Sequence, residues 1–375
     1  MAEKSQFSCR LVGLIVAFST LPSLAEGYAI AWGQMHGMTG KALRDGLDFW
    51  AGGFLLRSGQ APMLFDHMAY QSFLQGLYGV KLPYHLWSYP PTYGLLASAF
   101  AVLPPWPDVL SWDVFSLVVL GAVLRLAGKG WGFVACVLLA PATLENALEH
   151  QNAALMTALL GGGLLLMARR PRLAGLMVGL GTIKPQLGLV LPLYMLRRAP
   201  LAVMYAVLAA VGLAVASLAV FGAGVWAGFL HFTSPAMSAV LLTGQPPDFA
   251  GGLISVFAVA RPFCSVHGAL LVQVVVTLAC VVAGVVTRSV PVLLILGALA
   301  SPYLHDYDLV GVALAVALIV EQRGRTGFAP GEPVLLFLVW FGPGLLPWMA
   351  QYAHLAPVLL VLLLASAWRR GEIAA

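Results

Sequence analysis

Charged residues are scarce in this sequence. Asp, Glu, Lys and Arg make up 9% of its 375 residues, while A, V, I, L, M, F, W, Y and C make up 60%. Soluble domains run at about 25% charged and about 45–50% apolar. Together with a mean hydropathy of +0.90, that scarcity excludes a water-soluble globular enzyme. It also excludes disorder, which needs low hydrophobicity and high net charge. The apolar runs lack the ten-residue alternation of an outer-membrane barrel. They are continuous, so the sequence predicts an all-α integral membrane protein, a polytopic helical bundle, in a single domain over 1–375.

Other absences narrow the chemistry. There is no Walker loop, no dinucleotide fingerprint after a strand, no Gly-x-Ser-x-Gly and no Cys-x-x-Cys. No soluble nucleotide motif is present, so a reactant already held in the membrane fits better. The four cysteines, Cys9, Cys136, Cys264 and Cys280, have no metal-ligand spacing and read as small hydrophobes.

The net charge is +5, but the basic residues form no soluble face, so nucleic acid is not the expected partner. They cluster between apolar runs: Arg169, Arg170 and Arg172; Arg197 and Arg198; Arg323 and Arg325; Arg369 and Arg370. That is the positive-inside pattern, which puts these loops in the cytoplasm. At the start, Lys4 and Arg10 precede an apolar run, and Ser23-Leu24-Ala25 resembles a signal-peptidase site. The run continues to Trp32, so a retained first span is expected.

Spans are expected at about 11–32, 112–127, 131–144, 152–168, 200–221, 269–287, 290–304, 308–321, 333–348 and 354–368. Counting 88–104, 173–196 and 250–263 gives about 11–13 crossings. With all basic clusters inside, 173–196 must rise and return between Arg170 and Arg197. Its centre, Gly181-Thr-Ile-Lys184-Pro185, breaks a helix at the proline and places a lysine where lipid penalises it. Two half-spans meeting at Lys184 are expected. The segment 88–104 is then a re-entrant hairpin; otherwise it spans and one basic cluster lies outside. The polar insertion 33–87 reads as the first periplasmic loop. Within it, Asp48-Phe-Trp-Ala-Gly-Gly-Phe-Leu-Leu-Arg57 reads as an amphipathic juxtamembrane helix, and a second covers about 66–78 with Asp66 as N-cap.

On this topology four polar clusters fall at one side, opposite the basic loops: Asp45 and Asp48; Glu145-Asn-Ala-Leu-Glu149-His150-Gln151-Asn152; Lys184; and Ser301-Pro-Tyr-Leu-His305-Asp306-Tyr-Asp308. Ionisable groups at membrane depth usually line a functional cavity. Asp48 either complements a helix dipole or is a general base. Lys184 either snorkels or binds a phosphate leaving group. His305, Asp306 and Asp308 are a solvated turn, a phosphate donor through His305, or a divalent-metal set; His305 as donor is preferred to the metal. Glu145, Glu149, His150, Gln151 and Asn152 bind sugar hydroxyls or cap the next span. Trp87-Ser-Tyr89-Pro-Pro-Thr-Tyr93 is an interfacial aromatic belt or a stacking wall for a sugar ring. His36, His67, His85, His231, His267 and His354 have no evident partner in the sequence.

Five short elements occur in a familiar order. They are Asp48-Phe-Trp-Ala-Gly-Gly-Phe-Leu-Leu-Arg-Ser-Gly59 with Pro62 and Phe65-Asp66, Tyr89-Pro-Pro-Thr-Tyr-Gly-Leu-Leu96, His150-Gln-Asn152, Ala174 to Pro185, and Ser301 to Asp308. Over about 45–310 this order resembles glycosyltransferase family 87, with His150 where the family has glycine in Gly-Gln-Asn. The family includes polyprenyl-phosphomannose-dependent mannosyltransferases of mycobacteria. The resemblance implies a GT-C fold, a polyprenyl-phosphate sugar donor, a lipid or glycan acceptor, inversion, and a periplasmic site in the bacterial inner membrane. It implies Asp48 as base, His305 and Lys184 on the donor phosphate, and no metal or other cofactor. Tyr89, Glu149, His150, Gln151, Asn152 and Asp306 are the expected sugar and acceptor contacts. The competing expectation is a transporter or lipid flippase with an outward-facing polar cavity; the absence of an internal repeat speaks against it.

Overall fold

In the computed structural model, residues 45–78, 85–244, 252–345 and 355–371 are described. The expected first span, 11–32, lies outside them, as do His36, Lys81 and His354. Apart from an isolated antiparallel bridge between Leu253 and His305, the described residues form helices and turns.

Two short helices come first, α1 (Gly46–Arg57) and α2 (His67–Tyr78), joined through a 3₁₀ turn at Ala61–Phe65. Asp66 accepts the Ala69 N–H at 3.0 Å, which is the expected N-cap. Helix α2 buries Tyr70 and Leu74 and exposes Met68, one apolar stripe inward as the sequence predicts. Helix α1 differs from the expected surface-lying amphipathic helix. Leu47, Phe49, Trp50, Ala51, Leu55 and Leu56 are all buried. Gly52 and Gly53 make this possible. A Cβ on Gly52 would stand 2.1 Å from Trp87, and one on Gly53 would stand 2.3 Å from the Ala97 carbonyl oxygen. The helix is enclosed by its own protein.

The chain continues through α3 (Pro91–Phe100), α4 (Pro105–Leu126), and the pair α5 (Trp131–Leu138) and α6 (Pro141–Leu148), bent by 52°. Next come α7 (Ala153–Leu166), α8 (Pro171–Leu180) with a 3₁₀ extension Gly181–Ile183, α9 (Leu191–Arg198) and α10 (Pro200–Phe221). The last group is α11 (Ala223–Thr243), α12 (Val256–Ala260), α13 (Val266–Val286), α14 (Val290–Ala300), α15 (Val310–Thr326), α16 (Glu332–Leu345) and α17 (Ala356–Arg369). Prolines open many of them, at the first turn where a missing N–H costs nothing.

Four described helices, α4, α10, α11 and α13, are long and apolar enough to cross a bilayer; the bent pair α5–α6 makes up to five, and shorter apolar helices fill the bundle. Helix α11 is missing from the spans the sequence suggests. It is the least apolar of the four long helices, diluted by His231, Ser234 and Pro235. Helix α3 has ten residues, about 15 Å at 1.5 Å per residue, half of a hydrocarbon core of about 30 Å. That fits the re-entrant alternative for 88–104.

Chain direction alternates, and side-chain contacts fix the two ends. At one end Lys129 meets Glu321 at 2.5 Å, Arg198 donates to the Val286 carbonyl at 3.0 Å, and Glu332 holds Arg323 and Arg370, each at 2.9 Å. The basic clusters gather there. The acidic and histidine clusters lie at the other end. Between them α8 runs against α10 at backbone distance. A Cβ on Gly175 would stand 2.2 Å from the Ala202 carbonyl oxygen, and one on Gly179 would stand 2.3 Å from that of Ala206.

Candidate active site

The break at Lys184 is as expected. The 3₁₀ extension of α8 ends at Ile183, Lys184 takes φ −136° and ψ 73°, and Pro185–Gly188 starts a new 3₁₀ turn. The Lys184 side chain is buried. Its Nζ donates to Asp308 Oδ1 at 2.5 Å and lies 5.3 Å from the centre of the Tyr307 ring. Asp308 is the hub of the turn after α14. Its Oδ2 accepts the His305 backbone N–H at 3.2 Å, closing a reciprocal capping box with the His305 side chain. The His305 ring stacks on Tyr307 with centroids 4.9 Å apart and planes 4° apart. Asp306 accepts the Tyr307 N–H at 2.9 Å.

Lys184, His305 and Tyr307 share one wall of a cavity of about 390 Å³. Tyr89 and Ser88 enter from the segment before α3. Apolar lining comes from Ala210 and Ala214 of α10, and from Trp226, Phe229 and Met237 of α11. Burial holds the His305 imidazole below its ordinary pKa, and the Lys184 charge adds to this, against Asp308 and Asp45.

The acids of α1 lie behind Tyr89. Asp45 Oδ2 accepts from Gln151 Nε2 at 2.7 Å, and Gln151 Oε1 accepts from the Tyr89 hydroxyl at 3.2 Å. Burial pushes the Asp45 carboxyl up, and neighbouring Asp48 pushes the same way. The field of Asp45 reaches His305, Tyr307 and Tyr89. Asp48 belongs to a second group. Its Oδ1 accepts from the Tyr70 hydroxyl at 2.8 Å, and its Oδ2 faces His85 Nδ1 at 3.1 Å. His85 therefore has a partner that the sequence gives no sign of. Asp48 and His85 do not line the cavity; Ser88, three residues past His85, does.

The junction between α6 and α7 carries the remaining expected contacts. His150 takes φ +54°, a left-handed conformation that costs an L-residue about 1–2 kcal/mol and costs glycine little. This is the position where glycine is expected from the Gly-Gln-Asn pattern. Its ring is held by Asp113 Oδ2, 2.6 Å from Nδ1. His150 therefore acts on α4 rather than facing the cavity. Gln151 also accepts at its backbone carbonyl from Trp112 Nε1 at 3.3 Å. Asn152 is fully buried and lies against the Tyr93 hydroxyl. Glu145 is buried and Glu149 is half-buried at the end of α6. Neither lines the cavity. The aromatic run 87–93 forms neither an interfacial belt nor, as a whole, a sugar wall. Trp87, Tyr89 and Tyr93 pack with Phe49 and Trp112 into a buried cluster, and only Tyr89 of these reaches the cavity. Asp113 is a site residue that the sequence does signal, since an acid inside an apolar span needs a partner.

A helical membrane bundle with a buried lysine and a half-buried histidine lining one cavity, and carboxylates nearby, fits a multi-span membrane enzyme. The sequence model of glycosyltransferase family 87 matches residues 87–320, more than half of the chain, and the chain belongs to that family. Lys184, His305, Tyr89 and the His150–Asn152 stretch fall inside the matched segment; Asp45, Asp48 and His85 precede it. No curated protein and no solved structure matches the chain.

Proposed function

We propose that this glycosyltransferase moves a sugar, with mannose as first candidate, from a polyprenyl-phosphate donor to a lipid or glycan acceptor, inverting the anomeric carbon. The reaction takes place on the periplasmic side of a bacterial inner membrane, since the basic loops gather at the opposite end of the bundle. The carrying observation is the cavity itself. Its lining combines Lys184 and His305 with small and aromatic side chains of α10 and α11. That combination suits a phosphate joined to a prenyl chain.

In the reaction the acceptor oxygen forms a bond to the anomeric carbon as the bond from that carbon to the phosphate oxygen breaks. Lys184 and His305 stabilise the departing polyprenyl phosphate. The acceptor's proton is drawn off by the carboxylate of Asp48. Tyr89 borders the sugar directly, and Gln151 acts through it. No metal is invoked. Both oxygens of Asp308, the third member of the alternative His305–Asp306–Asp308 set, already serve Lys184 and the His305 N–H.

The test is transfer in proteoliposomes with a panel of polyprenyl-phosphate sugars, the products read by mass spectrometry. Wild-type protein is expected to glycosylate an acceptor from one of them, and Asp48→Asn to insert normally and transfer nothing. Normal transfer by Asp48→Asn would remove Asp48 from the base role. Solute movement without donor turnover would remove the enzymatic reading.

A further inference from the structure

The basic end of the bundle holds a separate cavity of about 480 Å³, between the end of α7, the start of α14 and the end of α15. Leu165, Pro291 and Leu318 give it an apolar lining, and Arg288 and Arg325 line it as well. Sorting of basic residues to this end explains why arginines are here. It does not explain why two of them share a cavity. Other arginines of this end have protein partners: Arg198 donates to the Val286 carbonyl, and Arg323 and Arg370 hold Glu332. Among the described residues, Arg288 and Arg325 have no ion pair or side-chain hydrogen bond. The acid in the lining, Glu321, lies one helical turn before Arg325, but its carboxylate is held by Lys129 Nζ at 2.5 Å. The cavity therefore carries uncompensated positive charge beside apolar side chains.

Two further features favour an anion with an apolar body. Ser289 precedes α14, yet its side chain makes no capping bond to that helix, so its hydroxyl and the positive end of the helix dipole are both available at the lining. Helix α13 leads into Arg288 and exposes Leu278, Val282 and Val286. These are spaced by four residues and share one face, which in a membrane span meets lipid chains.

We propose that this cavity binds an anionic phospholipid of the surrounding bilayer, with Arg288 and Arg325 on its phosphodiester and the apolar lining against its glycerol and first chain carbons. The planar guanidinium fork gives paired hydrogen bonds to phosphate oxygens. Basic pockets between spans at the membrane surface take anionic headgroups on the same physical grounds. A free phosphate would satisfy the arginines but leave Leu165, Pro291 and Leu318 against water, whereas a lipid satisfies both. The site is distinct from the cavity of Lys184 and His305, which lies at the opposite end. Helices α14 and α15 form one hairpin. Its closed end carries His305 and Asp308, and the lipid joins Arg288 before α14 to Arg325 in the last turn of α15. The headgroup is thus a clasp on the open end of the hairpin.

The experiment titrates the full chain in neutral detergent with dioleoylphosphatidylglycerol, dioleoylphosphatidylcholine or inorganic phosphate. Native mass spectrometry reads retained lipid, and thermal unfolding reads the midpoint; neither involves sugar transfer. Wild type is expected to retain phosphatidylglycerol about tenfold more tightly than phosphatidylcholine, with a raised midpoint for the former alone. Arg288→Gln combined with Arg325→Gln should weaken phosphatidylglycerol retention by about tenfold or more and remove the midpoint shift. Arg172→Gln, at the same end but outside the cavity, should keep both. Equal retention of the two lipids by wild type overturns the inference. So does an equal loss in Arg172→Gln, which marks general attraction to a basic surface. A midpoint raised as much by inorganic phosphate as by phosphatidylglycerol marks a soluble-anion site and overturns the lipid. Should the double variant not fold, the wild-type comparison of the two lipids and phosphate still decides.

Discussion

Lys184 Nζ and Asp308 Oδ1 stand 2.5 Å apart, joining residues 124 positions distant in the sequence, with side-chain exposures of 6% and 0%. The pair fixes the lysine side chain beside the cavity and ties the break after α8 to the turn before α15.

Removing one member of such a pair leaves an uncompensated buried charge, which costs about 3–5 kcal/mol. Lys184→Met alone is expected to lower the thermal midpoint in detergent sharply. The double variant Lys184→Met with Asp308→Asn should recover most of that loss, because no charge is then stranded. Transfer should stay absent in both. Recovery of activity along with stability would show that Lys184 serves the fold alone.

Two histidines should give opposite pH dependences of stability. The His85 pKa is raised above the ordinary 6.5 by Asp48 and Asp45 against the effect of burial. Its contribution is complete below about 6.5 and is lost as pH rises through the raised value. The His305 pKa is lowered, chiefly by burial. Its contribution is complete above about 6.5 and is lost as pH falls through the lowered value. Thermal midpoints followed from pH 5 to 8.5 should flatten on the alkaline side in His85→Gln and on the acid side in His305→Gln. Identical curves for the two variants would contradict these environments.

Gly46 and His150 should be coupled in sign as well as size. A Cβ at residue 46 would lie 2.7 Å from His150 Cβ, so Gly46→Ala overpacks at a cost of about 1–3 kcal/mol. In a His150→Gly background the same change should cost under half as much. His150→Gly alone should destabilise, since the Asp113 bond, worth about 1.5–3 kcal/mol, exceeds the relief of a left-handed histidine, about 1–2 kcal/mol. A double-mutant cycle by thermal unfolding measures both; equal costs of Gly46→Ala in the two backgrounds would place the clash elsewhere.

Much of this was written locally in the chain. A proline and a lysine inside an apolar run mark the break at Lys184, Asp66 marks the start of α2, and the arginine clusters sort the polar segments to the opposite end. What was hidden depends on long-range pairing. Nothing at residue 48 announces a histidine 37 positions later, or at residue 113 a histidine 37 positions on. Helix α1 misled for a related reason. Asp48 and Arg57 give it polar ends, but Gly52 and Gly53 have no side chain to reveal how closely Trp87 and Ala97 approach. Helix α11 was masked by polar residues scattered through a span. His150 shows how a departure from a family pattern can be read only in three dimensions, where glycine's backbone torsion is kept by a histidine anchored to Asp113.

Gly175 and Gly179 let α8 lie directly against the backbone of α10. The lysine's place in the cavity is therefore governed by atoms that are not there. A single methyl group one to two turns down the helix would act as a wedge, levering the ammonium off its carboxylate without touching either. Sensitivity to substitution should accordingly follow this seam deep into the bilayer, well away from any surface a substrate meets.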